Sequence, residues 1–160
     1  MKKKRKEMSA KEELFKALGK NFSGNTNFAL KLPPHVTLEL QGEVIEYISK
    51  KELKMRFPVQ EKHTNPLGNL QGGILSAMFD DVFGPLTYVS AGKPVLTLSL
   101  QITFIRGISP GDTIDIHAEV LSRGLTAMFL SAKAFNQNGK LVATAESQNQ
   151  ILNLPKKNAD

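Results

Sequence analysis

The chain has 160 residues, no cysteine and a formal net charge of +6. That length suffices for one domain with a substantial hydrophobic core. The lack of cysteine excludes disulfides, thiol nucleophiles and cysteine-ligated metals. Five of the 21 basic residues form the run Lys2–Lys6, so the rest of the chain is nearly neutral.

No apolar stretch approaches the ~20 residues that span a membrane, and the basic start is not followed by the apolar region of a secretory signal. We therefore predict a cytoplasmic protein. The basic run is interpreted as a solvated tail, and binding of nucleic acid or an anionic membrane surface is the alternative.

The first predicted helix follows this tail. Ser9 and Glu12 have the spacing of a helix capping box, and an apolar stripe from Leu14 to Leu18 follows, with Gly19 as a plausible end. This helix is expected to pack on the domain or to cover a ligand pocket as a lid. The Asn-, Gly- and Pro-rich segment 21–34 is predicted to be a loop.

Strand patterns occupy most of the remaining chain. Alternating apolar residues predict strands before and after a long apolar helix in the sequence. The helix runs from Gly72 to about Ser90. One helix within an antiparallel sheet predicts an α+β domain. The predicted strands are Val36–Leu40, Glu43–Ile48, Glu52–Val59, Val95–Ile105, Thr113–Leu121, Ala127–Asn136 and Lys140–Leu152.

The start of the central helix is the first candidate site. Gly72 and Gly73 stand where backbone N–H groups have no intrahelical partner, and these groups and the helix dipole favour a negative oxygen. Two turns further, Asp80 and Asp81 are carboxylates in an otherwise apolar helix, which requires an explanation.

A family resemblance supplies one. Asn65, the turn Gln71–Gly73, the pair Asp80–Asp81 and Gly84–Pro85 resemble the active-site segment of hotdog-fold acyl-CoA thioesterases of the phenylacetate-degradation (PaaI) type. The resemblance covers Gln41–Leu152 by motif and by order of elements. It implies a hotdog fold, in which an antiparallel sheet wraps one long helix, with an extra N-terminal helix here.

The resemblance also implies a mechanism. Amides of Gly72 and Gly73 would stabilise the oxyanion, while Asp80 of the neighbouring subunit acts as general base on water or as nucleophile. Partial burial is expected to raise the pKa of Asp80. The enzyme would be a dimer or a dimer of dimers that hydrolyses short-chain, medium-chain or aromatic acyl-CoA to free acid and coenzyme A.

Further site residues come from the same resemblance. Gln71 would bind the thioester, although it replaces the histidine of many relatives and cannot titrate. Asn65 would steady the nucleophile or thioester, and Thr97 would orient the water or carboxylate. Three cations near predicted strand ends are weaker candidates for the coenzyme A nucleotide: Lys93, Arg106 and Arg123.

Structural interpretations of the motif residues stay open. The glycine pair could be only a tight turn, and Asp80 could be paired with a buried cation. Asp81 is more simply structural or solvent-facing, and Asn65 could be a turn cap.

The functional alternative is a non-catalytic acyl-CoA-binding or sensing module on the same fold. A hotdog hydratase or dehydratase is less favoured, because the motif contains no Asp/His pair. No histidine or carboxylate spacing indicates a metal, no cofactor is expected, and no nucleic-acid partner is expected. The predicted organisation is a tail, helix and loop over 1–34, the hotdog domain over 35–154 and a C-terminal tail over 155–160.

Overall fold

A computed structural model describes residues 8–22 and 31–153, without the side chains of 21 and 22. The basic run, most of the predicted loop and the C-terminal tail lie outside these residues. The elements in chain order are α1 (Ala10–Phe22), α2 (His35–Leu40), β1 (Glu43–Ile48), β2 (Glu52–Pro58), a 3-10 turn (Glu61–His63), α3 (Gly72–Ala91), β3 (Val95–Phe104), β4 (Thr113–Arg123), β5 (Ala127–Asn136) and β6 (Leu141–Ile151).

The six strands form one antiparallel sheet in the order β1-β2-β4-β5-β6-β3. Helix α3 packs against one face of this sheet, and alternate residues of β2 (Leu53, Met55 and Phe57) are at most 2% exposed there. This agrees with the predicted α+β domain. Within the described ranges, no helix is both long and apolar enough to cross a membrane.

Helix α1 is part of the same core. The predicted capping box is present, because Ser9 N donates to Glu12 Oε2 (2.9 Å) and Glu12 N donates to Ser9 Oγ (3.3 Å). Leu14 and Leu18 are each 1% exposed. The helix continues to Phe22, so the predicted end at Gly19 is wrong. The proposed boundary between residues 34 and 35 stays a prediction.

The predicted strand at Val36–Leu40 is wrong, because these residues form helix α2. Pro34 precedes the helix, and Gln41 ends it in the left-handed conformation (φ 55°). Of the apolar residues in this short segment, only Leu40 is buried, whereas Val36 and Leu38 are 46% and 60% exposed. Their alternation therefore does not correspond to one buried strand face.

Strand β3 forms one edge of the sheet. The alternation of Leu96, Leu98, Leu100, Ile102 and Phe104 in the sequence predicts that they share one face, but they do not. The register with β6 shifts between Thr97 and Ser99, so Leu98 is a bulge residue. A bulge reverses which side chains point to each face. Leu96 and Leu98 are 53% and 63% exposed as a result.

Candidate active site

The loop before α3 is held by hydrogen bonds at both ends. Gln71 N donates to His63 O (2.8 Å), and Leu70 N donates to Ile108 O (2.8 Å). Inside the loop, Asn65 Oδ1 accepts from the backbone N of Leu67 (2.9 Å) and of Asn69 (3.2 Å). Asn65 therefore caps the turn through its carbonyl oxygen, which leaves its Nδ2 group as the atom that can donate to a ligand.

The first turn of α3 presents unbonded amides. Gln71 precedes the helix, and its backbone oxygen accepts from Ile74 N (2.9 Å) and Leu75 N (3.1 Å). The N–H groups of Gly72 and Gly73 have no acceptor in the part of the chain that the structure describes. Gly73 and the Gln71 side chain are exposed, so this end of the helix can receive an anionic oxygen.

The aromatic ring of Phe104 explains why residue 72 is a glycine. A Cβ at Gly72 would lie 3.2 Å from Phe104 Cζ, whereas a Cβ at Gly73 would meet nothing within 4 Å. Phe104 itself is 53% exposed at the edge of the sheet. Gly72 thus allows a close approach between β3 and α3, and Gly73 leaves space beside its amide.

The two carboxylates of α3 have opposite environments. Asp80 is exposed, so the burial that we expected for it is wrong for the single chain. Asp81 is 7% exposed, which contradicts the solvent-facing interpretation of this residue. Thr37 Oγ1 donates to Asp81 Oδ1 (2.6 Å), and Oδ2 has no partner among the described residues.

Burial raises the pKa of Asp81 above its ordinary value. The hydrogen bond from Thr37 lowers this pKa, and the neighbouring charge of Asp80 raises it. Successive helix residues point about 100° apart, so the two side chains face different surroundings although they are adjacent. Asp81 thereby links α2 to α3, and Asp80 remains available to a ligand or a partner.

One face of α3 stays open to solvent. Gly73, Ala77, Asp80 and Gly84 follow at intervals of four, three and four residues, which places them on one side of the helix. Gly73 and Asp80 are about 10 Å apart along the axis. The amides and the carboxylate of one chain therefore cannot contact the same carbonyl group.

Thr97 lies on the face of the sheet that carries α3. It is opposite Asn149 in the register, and Asn149 is 2% exposed on the inner face. The bulge at Leu98 causes this orientation, since Thr97 would otherwise share the outward face of Ser99. Asn149 Nδ2 donates to Ser147 Oγ (2.9 Å), so buried polar groups lie behind this strand.

The three candidate cations are not brought together. Lys93 Nζ donates to Asn153 Oδ1 (2.6 Å), and Arg123 donates to Ala91 O (3.3 Å) near the C-terminal end of α3. Arg106 donates to Leu141 O beyond the opposite end of β3. About 30 Å of strand separates these two groups. In residues 8–22 and 31–153 there is no group of three metal-ligating side chains.

Comparisons with known proteins agree with the fold. Residues 67–143, which include the α3 site and Thr97, match the family model described as thioesterase superfamily. The structure superposes on the Escherichia coli PaaI protein from the phenylacetic acid degradation operon with a TM-score of 0.74, at 16% identity, covering 91% of this chain and 97% of that one. The resemblance to hotdog-fold thioesterases is confirmed.

Two further proteins are similar to this chain. Human acyl-coenzyme A thioesterase 13 is 34% identical over 87 residues, which are 53% of this chain and 62% of that protein. The match thus spans less than two thirds of the relative. A phenylacetic acid degradation-related protein of Ralstonia eutropha is 27% identical with a TM-score of 0.69, covering 84% of this chain and 99% of that one.

The sequence interpretation missed the cleft that this hotdog domain forms beside Asp80. The cleft has a volume of about 320 Å³. Its floor consists of α3 residues at helical spacing, and its other wall comes from α1 and the segment around α2. The helical spacing was present in the sequence, but the second wall depended on a segment that was predicted to be loop and strand.

Proposed function

We propose that the protein hydrolyses acyl-CoA thioesters to free acid and coenzyme A, at a site shared by two chains. The observation that carries this proposal is the pair of unbonded amides of Gly72 and Gly73 at the start of α3, together with the exposed Asp80 on the same helix face as Gly73. The thioesterase relatives support the reaction class. The acyl group, the mechanism and the oligomeric state are proposals.

The shared site follows from the dimensions of α3. Oxyanion donors must lie about 2.7–3.1 Å from the oxygen that they stabilise, but Asp80 is about 10 Å away along the same helix. If two α3 helices lie antiparallel about a twofold axis that passes midway between Gly73 and Asp80, Asp80 of each chain faces Gly73 of the other. A twofold interface makes both contacts at once, so a dimer contains two complete sites.

The edge of β3 supports the same association. An exposed apolar edge strand is a surface that proteins normally cover. Here β3 has a neighbour on one side only, and Leu96, Leu98 and Phe104 are 53%, 63% and 53% exposed. A second copy covering this edge brings the open faces of the two α3 helices together.

In this arrangement the thioester carbonyl oxygen accepts hydrogen bonds from the amides of Gly72 and Gly73. Asp80 of the neighbouring chain removes a proton from water, and the resulting hydroxide attacks the carbonyl carbon. Collapse of the tetrahedral intermediate breaks the C–S bond and releases the coenzyme A thiolate. Direct attack by Asp80, which forms a mixed anhydride that water then hydrolyses, is the second route.

Different observations support the other residues that were predicted for the site. Asn65 Nδ2 and the exposed Gln71 amide lie at the start of α3 and can donate to the thioester or to coenzyme A. Thr97 faces the helix at the edge where the second chain is proposed. Among the cations we favour Arg106 for a coenzyme A phosphate, because it lies two residues beyond Phe104, which contacts Gly72. Lys93 and Arg123 lie at the far end of α3.

The first test is Asp80→Asn, assayed against a panel of acyl-CoA substrates. Loss of the carboxylate should lower kcat by about 10²–10⁴. The free energy of unfolding should change by less than about 0.5 kcal/mol, since Asp80 is exposed. Glu146→Gln, an exposed carboxylate on β6, is the matched control and should retain wild-type turnover.

Undiminished turnover in Asp80→Asn would remove Asp80 from the mechanism. Tight binding of acyl-CoA by the wild type without turnover would instead support the non-catalytic module. A single turnover in ¹⁸O-water identifies direct attack if the mixed anhydride is hydrolysed at the Asp80 carbonyl. The acid product then carries an oxygen of Asp80 and the enzyme gains ¹⁸O, whereas general-base catalysis places solvent oxygen in the acid product.

A further inference from the structure

Gly84 directly precedes Pro85, whose ring disfavours the helical conformation of a preceding residue that carries a Cβ, and Gly84 also borders an open space. This residue lies in the interior of α3, where glycine destabilises a helix relative to alanine. Its φ is not positive, and a Cβ at this residue would meet nothing within 4 Å. Gly42 differs, because a Cβ there would lie 2.7 Å from Phe57 Cε1. The space over Gly84 is therefore unused by the described residues.

That space is the cleft beside Asp80. Ala77, Asp80, Gly84 and Tyr88 line it at helical spacing, with Asp81 and Pro85 adjacent. The opposite wall is largely apolar and consists of Leu18, Lys31, Leu32, Pro34 and Val36. Gly84 is one turn from Asp80, about 6 Å along the axis. A ligand whose reacting carbon is at Asp80 therefore has this apolar space directly beside it.

We propose that the acyl group of the substrate lies over Gly84, and that residue 84 determines the largest acyl group that the enzyme accepts. This inference rests on the proposed thioester hydrolysis. A cavity of about 150 Å³ holds one benzene molecule. The cleft of about 320 Å³ consequently fits an aromatic ring on a short linker or a linear chain of up to about twelve carbons, and a longer chain extends into solvent.

The experiment is a graded series at this position, Gly84→Ala and Gly84→Leu, assayed with butyryl-, octanoyl-, phenylacetyl- and palmitoyl-CoA. In Gly84→Leu, the kcat/KM for octanoyl-CoA divided by that for butyryl-CoA should fall at least tenfold. The kcat/KM for phenylacetyl-CoA divided by that for butyryl-CoA should fall likewise. Gly84→Ala should give a smaller fall, because it adds a single methyl group to the cleft. Thr126→Leu, in the exposed connection between β4 and β5, is the control and should leave both ratios unchanged.

Two results would overturn the inference. One is an equal loss of kcat/KM for all acyl lengths, together with a change of oligomeric state in size-exclusion chromatography, because the space would then belong to the second chain. The other is an unchanged ratio in Gly84→Leu. If the wild type hydrolyses no thioester, the proposed reaction fails, and binding of S-butyl- and S-octyl-CoA thioethers tests the cleft separately. If Gly84→Leu loses the discrimination between these two thioethers that the wild type shows, binding of the acyl group in the cleft is supported. If the wild type and Gly84→Leu bind each thioether equally well, it is refuted.

Discussion

At the scale of single residues, α3 separates two adjacent carboxylates into different roles. Asp80 faces the open side of the helix, and Asp81 is 7% exposed against Gly42 and Thr37. We expected partial burial to raise the pKa of Asp80, but the buried carboxylate is Asp81. The sequence alone could not show which of the two carboxylates is buried. Adjacent helix positions differ by about 100°, and the orientation of the helix depends on what packs around it.

Asp81 makes stability depend on pH. Burial raises its pKa in the folded state above the ordinary value of 3.8. The folded state therefore holds the proton more tightly, so the contribution of this group to stability is complete below pH 3.8 and is lost as pH rises through the folded-state pKa. Asp81→Asn carries no charge at any pH. We expect its melting temperature to exceed that of the wild type by an amount that grows between pH 4 and pH 8.

Thermal unfolding of both proteins across this range measures the effect. Glu146→Gln is the control, and its difference from wild type should not follow the same curve. A constant difference between Asp81→Asn and wild type at all pH values would contradict the assignment.

At the scale of elements, the sequence predicted those with one clear period. In β2 the apolar residues fall on odd positions of the sequence, which predicts one buried face, and they are buried. Helix α3 begins at Gly72 as expected. The failures have physical causes. Helix α2 has only six residues, too few to distinguish a helical period from alternation. The bulge at Leu98 reverses the faces of β3, and no residue type in that strand indicates a bulge.

Helix α1 is expected to be necessary for stability. Leu14 is 1% exposed in the core, so Leu14→Ala should lower the free energy of unfolding by about 2–5 kcal/mol. Lys16→Ala, exposed on the same helix, should change it by less than about 0.5 kcal/mol. Urea denaturation of the two variants measures these free energies of unfolding. If both changes were small, α1 would not be an integral part of the core.

At the scale of the whole molecule, each proposed active site takes its two halves from different chains. The motif already contained both halves in one predicted helix, and the structure shows that this helix is continuous, so the two halves are too far apart to cooperate within one chain. The distance follows from the helical rise once α3 is continuous from Gly72 to Ala91. The proposed dimer thus depends on geometry as well as on the family resemblance.

Two inactive variants should therefore complement each other. Asp80→Asn lacks the carboxylate, and Gly73→Pro lacks an amide in the first turn of α3, where a Cβ would meet nothing within 4 Å and no intrahelical hydrogen bond is lost. A mixed dimer has one site with both defects and one intact site, so coexpression should restore about a quarter of wild-type activity. Each variant alone is the control. Mixed dimers verified by mass spectrometry that remain inactive would contradict a shared site.

The bare edge of β3 also determines how the protein behaves when it is scarce. In the proposed dimer a second copy covers Leu96 and Leu98. This association is a second-order process, so the lifetime of the monomer lengthens as its concentration falls. During that interval the strand can pair with the edge of any other unfolded or partly folded chain. Slow synthesis at low yield should consequently favour insoluble protein, and coexpression with an excess of the inactive Asp80→Asn chain should rescue its solubility.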